Sequence, residues 1–493
     1  MAQAFKIKLA AIAKDEGFYL PLWVYHHLRF GFDVLDIRVN DTTDNSWQVL
    51  EKLKVIYGER LRFSLADQEM AECLTTGANF QAYIYTKIYQ ETLTENFTHL
   101  MFLDLDEYWC SANFTETIQN FLERIPDFDV CMFQWLMEIP NTKRSINDFA
   151  LQAEIVGQKS DHVKSLMNLN ARILSIRIHN YVLKSGQYIL PDKTAIKFLD
   201  DDRSRGILPD TIFEKSRLVL EDYFIYHQVF RSQEEYIAGL LRGNKQNGDD
   251  SILKTNRFGY LATKPEIFNI NWSIDQQVLE DYRLDYLAMI TALDQDLEKA
   301  KGFVLDRKDK VINLLKSDSF MQQIHENKMR GISKDIYQRS PMKHVFKAKI
   351  SQINFDEKSL VCHFNCEVTS DKKNYELLIT QGFNQSKVST NINLLSEHQS
   401  KKGLVKVFYI EIKITELLYI IYSRQPPFCL VAKIEEELVV LERMKFRSIA
   451  PVLALHAESL RKQALQLPVS ENIQPKTSKF NSRLWSRLFK RPK

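Results

Sequence analysis

Two aspartates one residue apart, in the run Phe102-Leu-Asp-Leu-Asp-Glu-Tyr108, are the feature of this chain that points most directly to chemistry. They follow an apolar stretch at 99–103 that reads as a strand, so Asp104 and Asp106 are expected at its C-terminal end. In extended chain, residues i and i+2 face the same way. Both carboxylates are then expected to reach one hard cation or its waters. Mg²⁺ and Mn²⁺ prefer such oxygen ligands and complete their shells with phosphate oxygens. A departing diphosphate needs that neutralisation as its bond to the transferred group breaks. The plainer alternative is a polar strand-to-loop junction, because so short a motif also arises by chance. Glu107 is expected to hydrogen-bond within the loop rather than to act as a third ligand.

The elements that must position this pair follow a βαβ rhythm. Residues 6–13 (KIKLAAIA) form a short apolar run ending at charges, as in a buried parallel strand. A helix is expected over 18–30, with Pro21 in its first turn and Gly31 at its stop. A strand at 34–39, a helix at 47–57, a strand at 61–64, a helix at 78–93 and the strand at 99–103 come next. The near-continuously apolar segment 129–135 reads as a further, central strand. This alternation predicts an α/β fold with a mostly parallel sheet flanked by helices, whose chemistry gathers at the strand ends. Residues 140–220 read as loops that build a binding site, 232–241 as helix, and 275–335 as a helical connector. Short alternating runs after Pro341 predict a smaller antiparallel β region of sandwich type. The expected division is 1–270, 271–341, 342–447, and a helix with a basic tail over 448–493.

Bulk properties narrow the classes. A length of 493 residues exceeds one compact core, and a formal charge of +3 gives no argument for nucleic acid as a partner. The six cysteines lack disulfide-scaffold spacing, and the apolar stretch near the N-terminus is too short for a signal peptide or a span. A cytoplasmic location is expected. Cys362-His-Phe-Asn-Cys366 has no second ligand pair, and on a strand its cysteines share a face with Phe364, so core packing is expected there. In the tail, Phe480, Leu484, Trp485, Leu488 and Phe489 fall on one side of a helix, with Lys479, Arg483, Arg487 and Lys490 on the other. Such a helix suits an anionic membrane surface, here the inner face. A disordered basic tail or a helix docked on a partner is the alternative.

Several ordered motifs together resemble the family 2-like glycosyltransferases, especially the branch close to family 92. They are Ala10-Ala-Ile-Ala-Lys-Asp-Glu16, Tyr19-Leu-Pro-Leu-Trp23, His27, Gly31-Phe32, Val39-Asn-Asp-Thr-Thr-Asp44 and the Asp104 run, then Val163-Lys-Ser165, His179, His227, Phe230-Arg-Ser232, Glu235 and Arg242-Gly243. The resemblance covers roughly residues 5–250. It implies a GT-A fold, a nucleoside-diphosphate sugar donor, and Mn²⁺ or Mg²⁺. By resemblance, Glu16 and Asp41 match positions near the nucleotide's base and ribose, and Asp44 closes the family's Asn-x-Ser-x-Asp pattern. Asp104 and Asp106 match the metal pair, His227 a late histidine able to complete the metal shell, and Lys164 and Arg231 basic positions suited to phosphate. Leu22, Thr42 and Gln228 depart from the family's usual Glu, Ser and Tyr. Each site residue also has a structural reading: Glu16 and Asp44 as helix-start carboxylates, His227 as a core imidazole, Lys164 as a salt-bridge partner.

The family generally inverts at the anomeric carbon, which requires a carboxylate near the acceptor hydroxyl. Asp222 is the preferred candidate, with Glu221 and Glu138 as alternatives. The expected function is sugar transfer to a glycan or lipid-linked acceptor in polysaccharide or glycan biosynthesis. The alternative is a non-catalytic glycan- or nucleotide-binding protein on the same scaffold, and an unrelated nucleotidyl- or phosphotransferase is a weaker third.

Overall fold

The computed structural model describes residues 5–198, 206–215, 222–242, 252–254, 256–339, 346–356, 361–381, 386–388, 390–400, 403–413, 428–435 and 437–444. The protein is of the α/β class, with one large sheet flanked by helices and separate antiparallel sheets after it. Strands β1 (Ile7–Ala13), β2 (Val34–Val39), β3 (Leu61–Leu65) and β4 (His99–Phe102) form a parallel block in the order β3-β2-β1-β4. The apolar runs that announced these strands are buried because helices cover both faces of the block. α1 (Leu20–Arg29) and α2 (Ser46–Tyr57) pack into one core with β1 and β2. α4 (Phe80–Thr92) packs into another, with α3 (Asp67–Thr76) leading into it.

Beyond β4 the sheet becomes mixed. β5 (Glu107–Ser111), α5 (Ile118–Arg124) and β6 (Val130–Glu138) are followed by the long strand β7 (Glu154–Asn168), which runs antiparallel between β4 and β6. Residues 140–220, expected as loops, therefore hold β7 and the short strands β8 (Arg172–Ile176), β9 (Tyr181–Ser185), β10 (Tyr188–Ile189) and β11 (Ala195–Ile196), then α6 (Asp210–Lys215). β7 hid in the sequence because Gln158, Lys159, Ser160 and Lys164 are polar yet buried. β12 (Tyr223–His227) inserts between β5, antiparallel, and β6, parallel. Its C-terminal end thus lies beside the Asp104–Asp106 turn. α7 (Gln233–Leu240) starts on a reciprocal cap between Ser232 and Glu235. β13 (Asn269–Ser273) pairs with the start of β7.

The helical stretch expected over 275–335 comprises α8 (Gln276–Ile290), α9 (Asp294–Ser317) and α10 (Ser319–Ile324). α8 buries Tyr282 and Tyr286, while Leu284 and Leu287 are exposed, so aromatic residues set its packing face. Two four-stranded antiparallel sheets follow. The first comprises β14 (Phe346–Asp356), β15 (Val361–Ser370), β18 (Thr390–Ser400) and β19 (Gly403–Lys413). The second comprises β16 (Glu376–Gln381), β17 (Ser386–Lys387), β20 (Phe428–Ile434) and β21 (Glu437–Met444). Their apolar faces share one core that contains Cys362, Phe364 and Cys366, and all six cysteines are buried. His363, on the opposite face of β15, bonds Tyr409. Among the described residues no helix is long and apolar enough to cross a membrane. The helix and basic tail expected after 448 lie outside the described residues, as does Glu221.

Candidate functional site

The run Asp104-Leu-Asp-Glu107 is a tight turn rather than extended chain: the Glu107 amide donates to the Asp104 carbonyl (3.0 Å) as β4 gives way to β5. The turn breaks the two-residue alternation and hands its carboxylates to different partners. Helix α1 pins it from behind, because the buried Trp23 Nε1 donates to the carbonyls of both Asp104 and Glu107, each at 3.1 Å. His27 supports the same joint. Its Nδ1 meets the Trp23 carbonyl (2.8 Å) and its Nε2 accepts from the Trp109 amide (3.3 Å), which fixes a neutral ring with the proton on Nδ1.

On one side, Asp104 accepts from Lys164 Nζ (3.0 Å) and Gln81 Nε2 (2.9 Å), with the Tyr85 hydroxyl at 3.4 Å. Lys164 projects from β7, fully buried, and also pairs with Glu107 (3.1 Å). Glu107 in turn accepts from the Asp104 amide (2.8 Å), so it bonds within the turn as expected. One buried ammonium therefore serves two carboxylates. Burial disfavours ionised Asp104, but Lys164 overrides this and holds its carboxyl below the usual range. Burial pushes Glu107 up to about 7 despite Lys164, because Asp104 already supplies the negative charge that the ammonium needs.

On the other side, Asp106 faces His227 Nε2 at 3.6 Å. Burial opposes ionisation of Asp106 as well, but His227, Arg231 and Arg257 hold its carboxyl far below normal. Asp106 reciprocally raises His227 above its ordinary value against the pull of burial. Arg231 stands in left-handed backbone (φ 56°), unusual for a side chain of its size. The bend is held by Glu138, whose Oε2 accepts from the amides of Phe230 (3.2 Å) and Arg231 (2.7 Å) while its Oε1 pairs with Arg144. The guanidinium lies 3.4 Å over the Tyr19 ring centre and donates to the Leu105 carbonyl (3.1 Å). Glu16 pairs with Arg242 (2.5 Å) and, more loosely, with Arg231 (3.7 Å).

The structure thus brings together Glu16, Asp104, Asp106, Lys164, His227 and Arg231. Lys164 is sealed against the carboxylates, the salt-bridge alternative, and is not free to meet phosphate. Asp44 accepts from Gly17 N (2.8 Å), Ser46 N (2.9 Å) and Ser46 Oγ (2.5 Å), so it ties the β1–α1 loop to the start of α2. A Cβ on Gly17 would stand 3.0 Å from that carboxylate, which accounts for the glycine. Asp41, at the end of β2, pairs with Lys14 (2.5 Å). Asp222 lies at the far end of the β5–β12 ladder, about 17 Å of strand from His227. Its side chain is 81% exposed, with Arg124 at 4.0 Å, and the intervening strand keeps it from the turn. Glu138 borders the site, but its oxygens are engaged in holding the 230–231 bend.

A shared divalent cation on Asp104, Asp106 and His227 does not fit this arrangement. Both Asp104 oxygens already accept from Gln81 and Lys164, and Asp106 turns to His227 and the guanidinium groups. Among the described residues no cluster of three or more His, Cys, Asp or Glu side chains is arranged to hold a metal ion. Sequence reasoning gave no role to Gln81, Lys254 or Arg257. The last two sit in an irregular polar segment with no periodicity to mark them, and Arg242 stood out only through its Arg-Gly pair.

No protein-family model matches the sequence, and no curated protein matches it. The family branch expected from the ordered motifs therefore rests on the sequence resemblance alone. Among solved structures, the chain is similar to an active-site mutant of LgtC, a glycosyltransferase, with 11% identity and a TM-score of 0.20. The match covers 33% of this chain and 57% of that one, and a superposition this loose carries no argument about activity.

Proposed function

We propose that the chain is a glycosyltransferase that takes a sugar from a nucleoside-diphosphate donor and passes it, with inversion, to a hydroxyl of a glycan or lipid-linked acceptor. The observation that carries this reading is the β4–β5 turn. It presents Asp104 and Asp106, 38% and 28% exposed at their side chains, at the C-terminal end of a parallel strand beside clustered cations. Strand ends of such sheets are where ligands bind. Preorganised positive charge is what a departing diphosphate requires. In this reading the basic tail over 479–491 keeps the enzyme at an anionic membrane surface near its acceptor.

The test is a panel of nucleotide sugars, followed for hydrolysis and transfer, with wild-type protein and Asp106→Asn. Turnover of one donor, lost in a variant that melts as wild type does, is the expected result. If no donor is turned over and none shifts the melting temperature, the reading falls. A second reading, a non-catalytic glycan- or nucleotide-binding protein, draws on one observation: Glu16, Asp104, Glu107 and Glu138 are each engaged by cations or amides, so none stands free as a base. Metal-free binding of a donor without turnover would favour it.

A further inference from the structure

Positive charge is in surplus on the Asp106 side of the turn. Glu16, Asp106 and Glu235 are the carboxylates there, and the charges of Arg231, Arg242, Lys254, Arg257 and His227 act on the same cluster. Arg242 is met by Glu16 and His227 by Asp106, whereas Lys254 and Arg257 form no ion pair with a described residue. Their mutual proximity is felt. Burial, then Arg242 and Arg257, bring the Lys254 ammonium down to about 7.

This crowding is built rather than incidental, because the backbone carrying Lys254 and Arg257 is tied down from behind. The buried Lys328 ammonium donates to the carbonyls of both residues, at 3.5 Å for Arg257. The Lys254 amide donates to the Leu240 carbonyl (2.7 Å), and the Gly259 amide donates to the Tyr236 hydroxyl (3.1 Å). Asp106 and Glu16 balance these like charges only in part, and an incoming anion can supply the remainder. Guanidinium groups match phosphate oxygens in pairs, and lysine adds a point charge. Across the turn, the Lys164 ammonium already neutralises Asp104.

We propose that Arg231, Arg242, Lys254 and Arg257 grip the donor's diphosphate directly, with Lys164 as the resident counter-charge at Asp104, so that binding needs no divalent cation. The proposal rests on the reading of this site as a donor site, but its test is separate from turnover. Titration calorimetry of the full chain with inorganic pyrophosphate, in EDTA and then in excess Mn²⁺, measures the grip alone. Binding in EDTA, changed less than about twofold by Mn²⁺, is expected. Arg257→Gln and Lys254→Met should each weaken it about ten- to a hundredfold, as loss of a charged hydrogen bond does. Arg257→Lys should recover part of that loss. A short-chain phosphatidic acid run alongside separates a lipid phosphate from a diphosphate, and should bind more weakly than pyrophosphate. Binding that appears only with Mn²⁺, binding unchanged in both charge-removing variants, preference for the lipid phosphate, or no binding of pyrophosphate would each overturn the proposal. If pyrophosphate binds as stated while no nucleotide sugar is turned over, the transfer reading fails and the anion grip stands.

Discussion

The two flanks of the Asp104–Asp106 turn solve the same problem in opposite ways. On the Asp104 flank one buried ammonium, Lys164, answers two carboxylates, and the charges close on themselves. On the Asp106 flank three carboxylates, Glu16, Asp106 and Glu235, face five basic groups, and the balance stays open. Burial raises the cost of unmet charge on both flanks. The closed flank spends that leverage on holding the turn, and the open flank leaves it to be used by a ligand. The same pair of aspartates thus has one structural member and one facing the charge surplus, although spacing alone makes them look equivalent.

The largest expected effect comes from breaking the closed flank. Lys164→Met leaves Glu107 and Asp104 without their cation and should lower stability by about 3–5 kcal/mol, the cost of stranding one partner of a buried pair. Urea unfolding measures it, and a loss below about 1 kcal/mol would mean that water reaches the pair. A smaller effect concerns pH. Glu107 binds its proton more tightly folded than unfolded, with its value near 7 against an ordinary 4.5. Stability from this group is therefore full below about 4.5, declines as pH rises, and is lost above about 7. Glu107→Gln should flatten that slope, worth on the order of 1–3 kcal/mol, in unfolding curves taken from pH 5 to 8. An unchanged slope would place the titration elsewhere. The smallest effect is at Asp222: Asp222→Asn should leave donor binding and transfer within about twofold of wild type, since the residue is exposed at the wrong end of β12. A transfer rate that collapses would require β12 to be read differently.

The parallel block was legible because its strands are apolar runs broken by charge or glycine, and burial on both faces demands that composition. β7 was not, because Gln158, Lys159 and Lys164 enter the interior paired with partners far along the chain, and no local pattern records a distant partner. α3 was missed for a related reason: of its residues only Cys73 is buried, so it has no apolar stripe to display. In the site, the Asp-x-Asp pair and His227 could be read, and their neighbourhood is real. Whether both carboxylates reach one point could not, since that depends on a turn closed by a single backbone hydrogen bond and pinned by Trp23. Lys254 and Arg257 carried no signal, as charge in an irregular segment usually marks solvent.

Lys328 has a consequence for how the chain divides. It lies far along the sequence from the Asp104 run, yet it fixes the carbonyls of Lys254 and Arg257. Arg307 of α9 likewise reaches back to Asp15 (3.0 Å), and the Tyr282 hydroxyl of α8 meets His26 (3.0 Å). A fragment ending at residue 270 would keep every aspartate by which the site is recognised and lose the fastening that aims its cations. The helices thus work as a brace for the recognition surface, and a cut there would yield a sheet that carries the signature without the grip.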